Sequence, residues 1–276
     1  MTDKQEQIRS RIWLEEAEAD NPFAAQACYC SGYDVYADIL PKATWAEYIY
    51  LLFTTERASP EQAQLLEKLA IAIANPGLRD HSVRAAMNGG VGGSHAAACL
   101  MAALGVGAGQ LNGAHEVRLA MKSWQQCKSD IKKWCQWLTT YSQQARKQEE
   151  EQMDAWQAMA HAPGFDPHGN HCAQPVRQTL DCLTAISPGD ALPFLNKNRA
   201  ELEQASQHPL AMSGVAAAAL IDLKLDPAQG EMLYLMLRLP GAAVHALEQQ
   251  QYGWRDYPFF GAALKIEDDP GPVPNT

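Results

Sequence analysis

No run of about 18 uncharged apolar residues occurs in the chain, which argues against a membrane-spanning helix. The longest stretch of small apolar residues, 96–109, is short and mostly Ala and Gly. Basic charge is scarce: 22 Lys and Arg face 32 Asp and Glu, a formal net charge of -10. Binding nucleic acid requires clustered cations that displace counterions from phosphate, so no nucleic-acid partner is expected. The one basic segment, 122–147, runs into "EEEQMD" and reads as a solvated helix of alternating charge. The seven cysteines include no CxxC pair, so they are expected to be reduced packing thiols, and no metal site is expected. The opening "MTDKQEQIRSRIWLEEAEAD" lacks the apolar core of a signal peptide, and a cytoplasmic location is expected. Alternating apolar and polar residues are also missing, so no strand is expected and the fold class is all-α.

Helical signals fill the chain instead. Thr44 is a plausible N-cap with Glu47 three residues on, and Tyr48, Leu51 and Leu52 fall on one stripe. Ser59 and Pro60 then open a second helix, closed by "NPG" at 75–77, which predicts a helical hairpin. Glycines 89–93 read as a break, and 96–104 as a helix of very small side chains able to approach another backbone closely. That helix is the basis for expecting a homodimer. From 117 to 162 the composition turns polar and amphipathic, with an apolar stripe through Trp124, Ile131, Trp134 and Leu138. The expected organisation is a polar segment at 1–24, a large helical domain from 25–122 and 211–265, a small helical domain at 123–210, and a flexible tail at 266–276 rich in Pro and acid.

Five ordered segments carry a resemblance: "SGYDVYADILPKATWAEYIYLLFTTERASP", "GQLNGAHE", "PGFDPHGNHCAQPVR", "PLAMSGVAAAALIDLKLDP" and "LRLPGAAVHALEQ". Together they resemble the citrate synthase family, and within it the citryl-CoA lyase branch with the synthase-like module of ATP-citrate lyase. The resemblance implies a two-domain helical homodimer acting on a carbon-carbon bond between a coenzyme A thioester and an oxo acid. In such enzymes a carboxylate takes a proton from the carbon beside the thioester, one histidine steadies the enol oxygen, a second polarises the oxo acid, and arginines clamp its carboxylates. These groups must be preorganised in a dry pocket because the carbon acid is weak.

The positions that match this machinery depart from it. Aligned on Leu111, the enol-stabilising histidine is replaced by Asn112, whose amide can donate to an oxyanion but cannot shuttle a proton. With one loop glycine deleted, Glu116 matches the family glutamate and His115 lies further along; the plainer alternative makes Asn112 an N-cap and His115 a polar first-turn residue. In the second loop, an ungapped alignment keeps Pro175 but puts Pro167 and Val176 at the histidine and arginine positions. Shifted by one residue, His168 and Arg177 take both. The base position holds Ser213, and a serine hydroxyl is too weak a base for this carbon acid, serving as a nucleophile only beside a base. Arg238 in "RLPG" matches the carboxylate-binding arginine, with a structural salt bridge as the competing reading. Arg255 and His81 match a cross-dimer arginine and an oxo-acid-binding histidine. Two functions follow: an acyl-CoA lyase or transferase with altered chemistry through Asn112, His168, Ser213 and His115, or a non-catalytic ligand-sensing or partner-binding homodimer.

Overall fold

The computed structural model describes residues 10–151 and 161–257, so the tail expected to be flexible lies outside the described residues. The chain is mostly helical, with eleven α-helices among the described residues. No described helix is long and apolar enough to cross a membrane.

The expectation that no strand occurs is corrected at the N-terminus. Strands β1 (Leu14–Ala17), β2 (Ala25–Cys30) and β3 (Tyr33–Asp34) form a small antiparallel sheet in the order β1-β2-β3. β1 is exposed along its whole length, so no buried face imprints an alternating pattern on it. The legible signal was the two-residue turn between β2 and β3: Ser31 and Gly32 sit at φ of 51° and 86°, the left-handed pair a tight hairpin requires. Inward-facing Cys28 and Cys30 pack with Val35 and Leu51 in a small apolar cluster.

A single π-helical turn, Val35–Ile39, follows, its start capped by Asp34. Helix α1 (Trp45–Thr54) and helix α2 (Pro60–Ile73) begin where the caps predict. Thr44 and Glu47 form a reciprocal box, and so do Ser59 and Gln62. Helix α3 (His81–Val91) corrects the reading of 89–93 as a break, because Gly89 and Gly90 lie inside it. They serve approach rather than interruption. A Cβ on Gly90 would stand 2.3 Å from the Ala246 carbonyl oxygen, so α3 and α11 (Leu239–Tyr252) meet only because that atom is missing. The chain turns afterwards at Gly93, φ 72°, into α4 (Ala96–Gly107).

Helices α5 (Ala114–Cys127), α6 (Ile131–Glu151), α7 (Gln174–Ile186), α8 (Ala191–Ser206), α9 (Met212–Asp222) and α10 (Pro227–Leu237) complete the body. Residues Ser213 to Leu220 of α9 are all buried, because a helix of Ala, Val and Gly has no polar face to keep wet. It packs among α2, α5, α7, α8 and α10. Trp124 of α5 meets Trp134 of α6 edge-on, centroids 4.9 Å apart, which joins α6 to that core.

Asp222, at the end of α9, substitutes for a local cap on α8. Its carboxylate accepts the Ala191 and Leu192 N–H groups at 2.7 and 2.9 Å and the Ser187 hydroxyl at 2.6 Å. Asp190, the residue at the cap position, makes no side-chain cap bond. Asp222→Ala is expected to lose about 2 kcal/mol in urea unfolding, since two helix N–H groups and a hydroxyl lose a buried acceptor.

Candidate functional site

Three distant parts of the chain converge on one carboxylate. Glu116, in the first turn of α5, is 1% exposed. Its Oε1 accepts the Ser213 hydroxyl at 2.7 Å and the Gly164 N–H at 3.0 Å, and its Oε2 accepts the Asn112 N–H at 2.5 Å. His161 Nε2 lies 3.8 Å from the same Oε1. Three donors offset the desolvation of a buried acceptor pair.

Local geometry explains the convergence. Asn112 sits at φ 53°, a left-handed conformation asparagine tolerates better than most residues. That turn aims its N–H at α5, while its side chain is exposed. The N-cap of α5 is Gly113, so Asn112 does not cap it. On the opposite side, loop 162–166 lies against the start of α9: Ala211 N–H donates to the Gly164 carbonyl at 3.0 Å, and Asp166 N–H to the Pro209 carbonyl at 2.8 Å. A Cβ on Gly214 would stand 2.4 Å from the Gly164 oxygen, so two glycines let the loop reach Glu116.

Arg238 joins this cluster from the junction of α10 and α11. It is 5% exposed, donates through Nη1 to the Asn112 carbonyl at 2.9 Å, and bonds Asp80 through Nη2. Asp80 also caps α3, accepting the Ser82 and Val83 N–H groups. The guanidinium lies over the Tyr234 ring, 5.1 Å from its centroid. Burial pushes the Tyr234 phenol above its usual range, with the Arg238 charge opposing, so it stays neutral. Asn112 thus links the two halves of the cluster, its N–H on Glu116 and its carbonyl on Arg238. The cavity between Gly164, Gly214, Ala120 and Pro163 measures only about 10 Å³, at most one water.

The other expected site residues lie elsewhere. His115 Nδ1 stands 3.2 Å from Glu231 Oε1, whose carboxylate also takes Arg118 at 2.8 Å. His168 is exposed, its backbone N–H accepted by Asp166 at 2.9 Å. Arg177 is exposed on α7 at a pocket of about 400 Å³ that His171, Arg199 and His208 also line. His81 is exposed at the first position of α3. Arg255 is exposed in the short turn Trp254–Asp256, 5.8 Å from the Trp254 ring. Among the described residues no cluster of three His, Cys, Asp or Glu is arranged to hold a metal ion.

Sequence reasoning matched Glu116 to the family glutamate in one alignment but gave it no chemical role, took His161 for an incidental loop histidine, and passed over Asp80. For Glu116 a signal existed: it lies beside Val117 on the stripe that continues through Ala120, Met121 and Trp124, and a carboxylate on a buried face calls for partners.

No family model matches the sequence, and no curated protein matches it. Solved structures do match. Citryl-CoA lyase from Hydrogenobacter thermophilus is 15% identical with a TM-score of 0.65, over 98% of this chain and 97% of that one. ATP citrate lyase from Methanothrix soehngenii, in complex with citrate and coenzyme A, is 14% identical with a TM-score of 0.64; 95% of this chain matches 42% of that longer one. Citrate synthase from Thermoplasma acidophilum, with carboxymethyl coenzyme A and oxaloacetate, is 13% identical with a TM-score of 0.51, over 85% of this chain and 60% of that one. Over nearly its whole length the chain has the citrate synthase-like fold of these three enzymes.

Proposed function

We propose that this chain is a non-catalytic homodimer of the citrate synthase-like fold, which takes up a carboxylate- or coenzyme A-bearing anion without making or breaking a carbon-carbon bond. The observation that carries the reading is the 2.7 Å bond from the Ser213 hydroxyl to Glu116. A base must offer a lone pair to the substrate's C–H. Ser213, at the position the resemblance assigns to that base, is 2% exposed and turns its proton into the protein. The Arg238 fork is engaged in the same way by Asp80 and the Asn112 carbonyl. Anion uptake falls to the pocket of Arg177, His171 and His208, where Arg177 is the exposed cation and Arg199 is tied to Glu203 at 2.8 Å. In the same reading, the small domain at 123–210 supplies every residue that lines this pocket, and the large domain is formed by 25–122 and 211–265.

Association as a dimer is supported by large apolar side chains left exposed on three neighbouring helices: Met101 and Val106 on α4, Met232 and Met236 on α10, Val244 and Leu247 on α11. Sedimentation at micromolar concentration is expected to give a dimer; a monomer would contradict this part of the reading.

One observation favours a second reading, in which lyase or transferase chemistry persists. Glu116 brings a carboxylate beside position 213, with His161 as its neighbour, so the base is relocated rather than lost. One experiment separates the two. Purified protein is offered a panel of acyl-CoA thioesters with and without oxo acids; free thiol and product mass are read alongside calorimetric binding. The proposal expects heat of binding and no thiol release above the protein-free rate. Sustained release that disappears in Glu116→Gln establishes the second reading instead.

A further inference from the structure

A second pocket, built from elements that take no part in the Glu116 cluster, lies between the π-helical turn Val35–Ile39, α1 and the loop after α1. Its volume of about 330 Å³ suits a small molecule. The floor is apolar: Ile39 and Ala58 line it, and Leu51, 5% exposed, closes it over the Cys28 and Cys30 cluster. Tyr33 and Tyr48 add two aromatic walls. Neither phenol has a hydrogen-bond partner among the described residues, so both are free to donate.

The charges at the rim are selective. Lys42 is paired with Asp38 at 2.9 Å. Glu47 accepts the Thr44 N–H and hydroxyl, which, with a smaller contribution from the Arg57 charge, hold its carboxyl below the usual range, so it remains an anion near neutral pH. Arg57 makes no hydrogen bond or ion pair among the described residues; its guanidinium rests over Tyr33, 5.8 Å from the ring centroid. Stacking holds the planar fork without using its donors. With Lys42 paired to Asp38, the rim leaves Arg57, its donors unused, beside the single carboxylate of Glu47 whose charge it balances in part, an arrangement that suits one negative charge better than a dianion.

We propose that this pocket binds a small aromatic monocarboxylate, its carboxylate on Arg57 and its ring against Tyr33 and Tyr48. The full chain is titrated by calorimetry with benzoate, 3-phenylpropanoate and indole-3-acetate, and with uncharged 3-phenylpropanamide. At least one acid is expected to bind saturably at one site per chain. Affinity is expected to fall about tenfold or more for the amide and in Arg57→Gln, a charge-assisted contact being lost in each case. It is expected to vanish in Ala58→Phe, where the ring fills the floor. Arg57 is exposed, so its variant should melt as the parent does and report on binding alone. Failure of all three acids to saturate the protein, or an unchanged affinity in Arg57→Gln, overturns the proposal.

Discussion

Replacing Glu116 by alanine is expected to lower the free energy of unfolding by about 4 kcal/mol, the range for removing a buried group whose partners cannot reach water. The loss has several sources. Ser213 Oγ, Gly164 N and Asn112 N each lose an acceptor, and they lie on segments 97, 48 and 4 residues away along the chain. None has an obvious substitute, because the cavity beside them measures only about 10 Å³ and admits at most one bridging water. Glu116→Gln should cost about half as much: the amide oxygen can still accept, but its NH₂ faces donors. Urea midpoints with unchanged slope would measure both. A loss below about 1 kcal/mol for Glu116→Ala would mean that the donors find other partners, and the carboxylate would not be what holds these segments together. Ser213→Ala in each background gives the coupling between the two residues, separating the hydroxyl's share from that of the loops.

How much of this was legible beforehand depended on the distance over which each interaction acts. The caps at Thr44 and Ser59 were readable because donor and acceptor are three residues apart and the bonds form within one turn. Strand β1 was not readable, since LEEA exposes both faces and its pairing with β2 is set by backbone and turn rather than by side-chain pattern. Gly90 illustrates a different failure. From the sequence alone a glycine pair reads as a helix break, whereas contact with Ala246, far along the chain, turns the missing side chain into a packing requirement. The five family-like segments made the overall fold legible at an identity too low for sequence comparison to detect. The same motifs located Ser213 and Arg238 but not their partners, because nothing local to Arg238 reveals that Asp80, 158 residues earlier, points at it.

Arg238→Met should have an effect comparable to that of Glu116→Ala, about 4 kcal/mol, for an electrostatic reason. Methionine keeps most of the volume and can lie on the Tyr234 ring, so packing changes little. What disappears is the charge that compensates Asp80, whose side chain is 11% exposed, and the donor to the Asn112 carbonyl. Asp80 keeps the Ser82 and Val83 N–H groups, so it is not stripped of partners, but it loses the guanidinium paired with its carboxylate. Replacing both residues, Asp80→Asn with Arg238→Met, should recover about half the loss, because an asparagine can cap α3 without leaving an uncompensated charge. If the single variant is as stable as the parent, or the double variant is no better than the single, the ion pair is not a stabilising element. The guanidinium would then have to be explained by a ligand. Arg238→Lys tests that alternative, since it keeps the charge for Asp80 but loses the fork. A structural role predicts a modest loss of stability with anion affinity unchanged, whereas a clamp on substrate predicts the reverse.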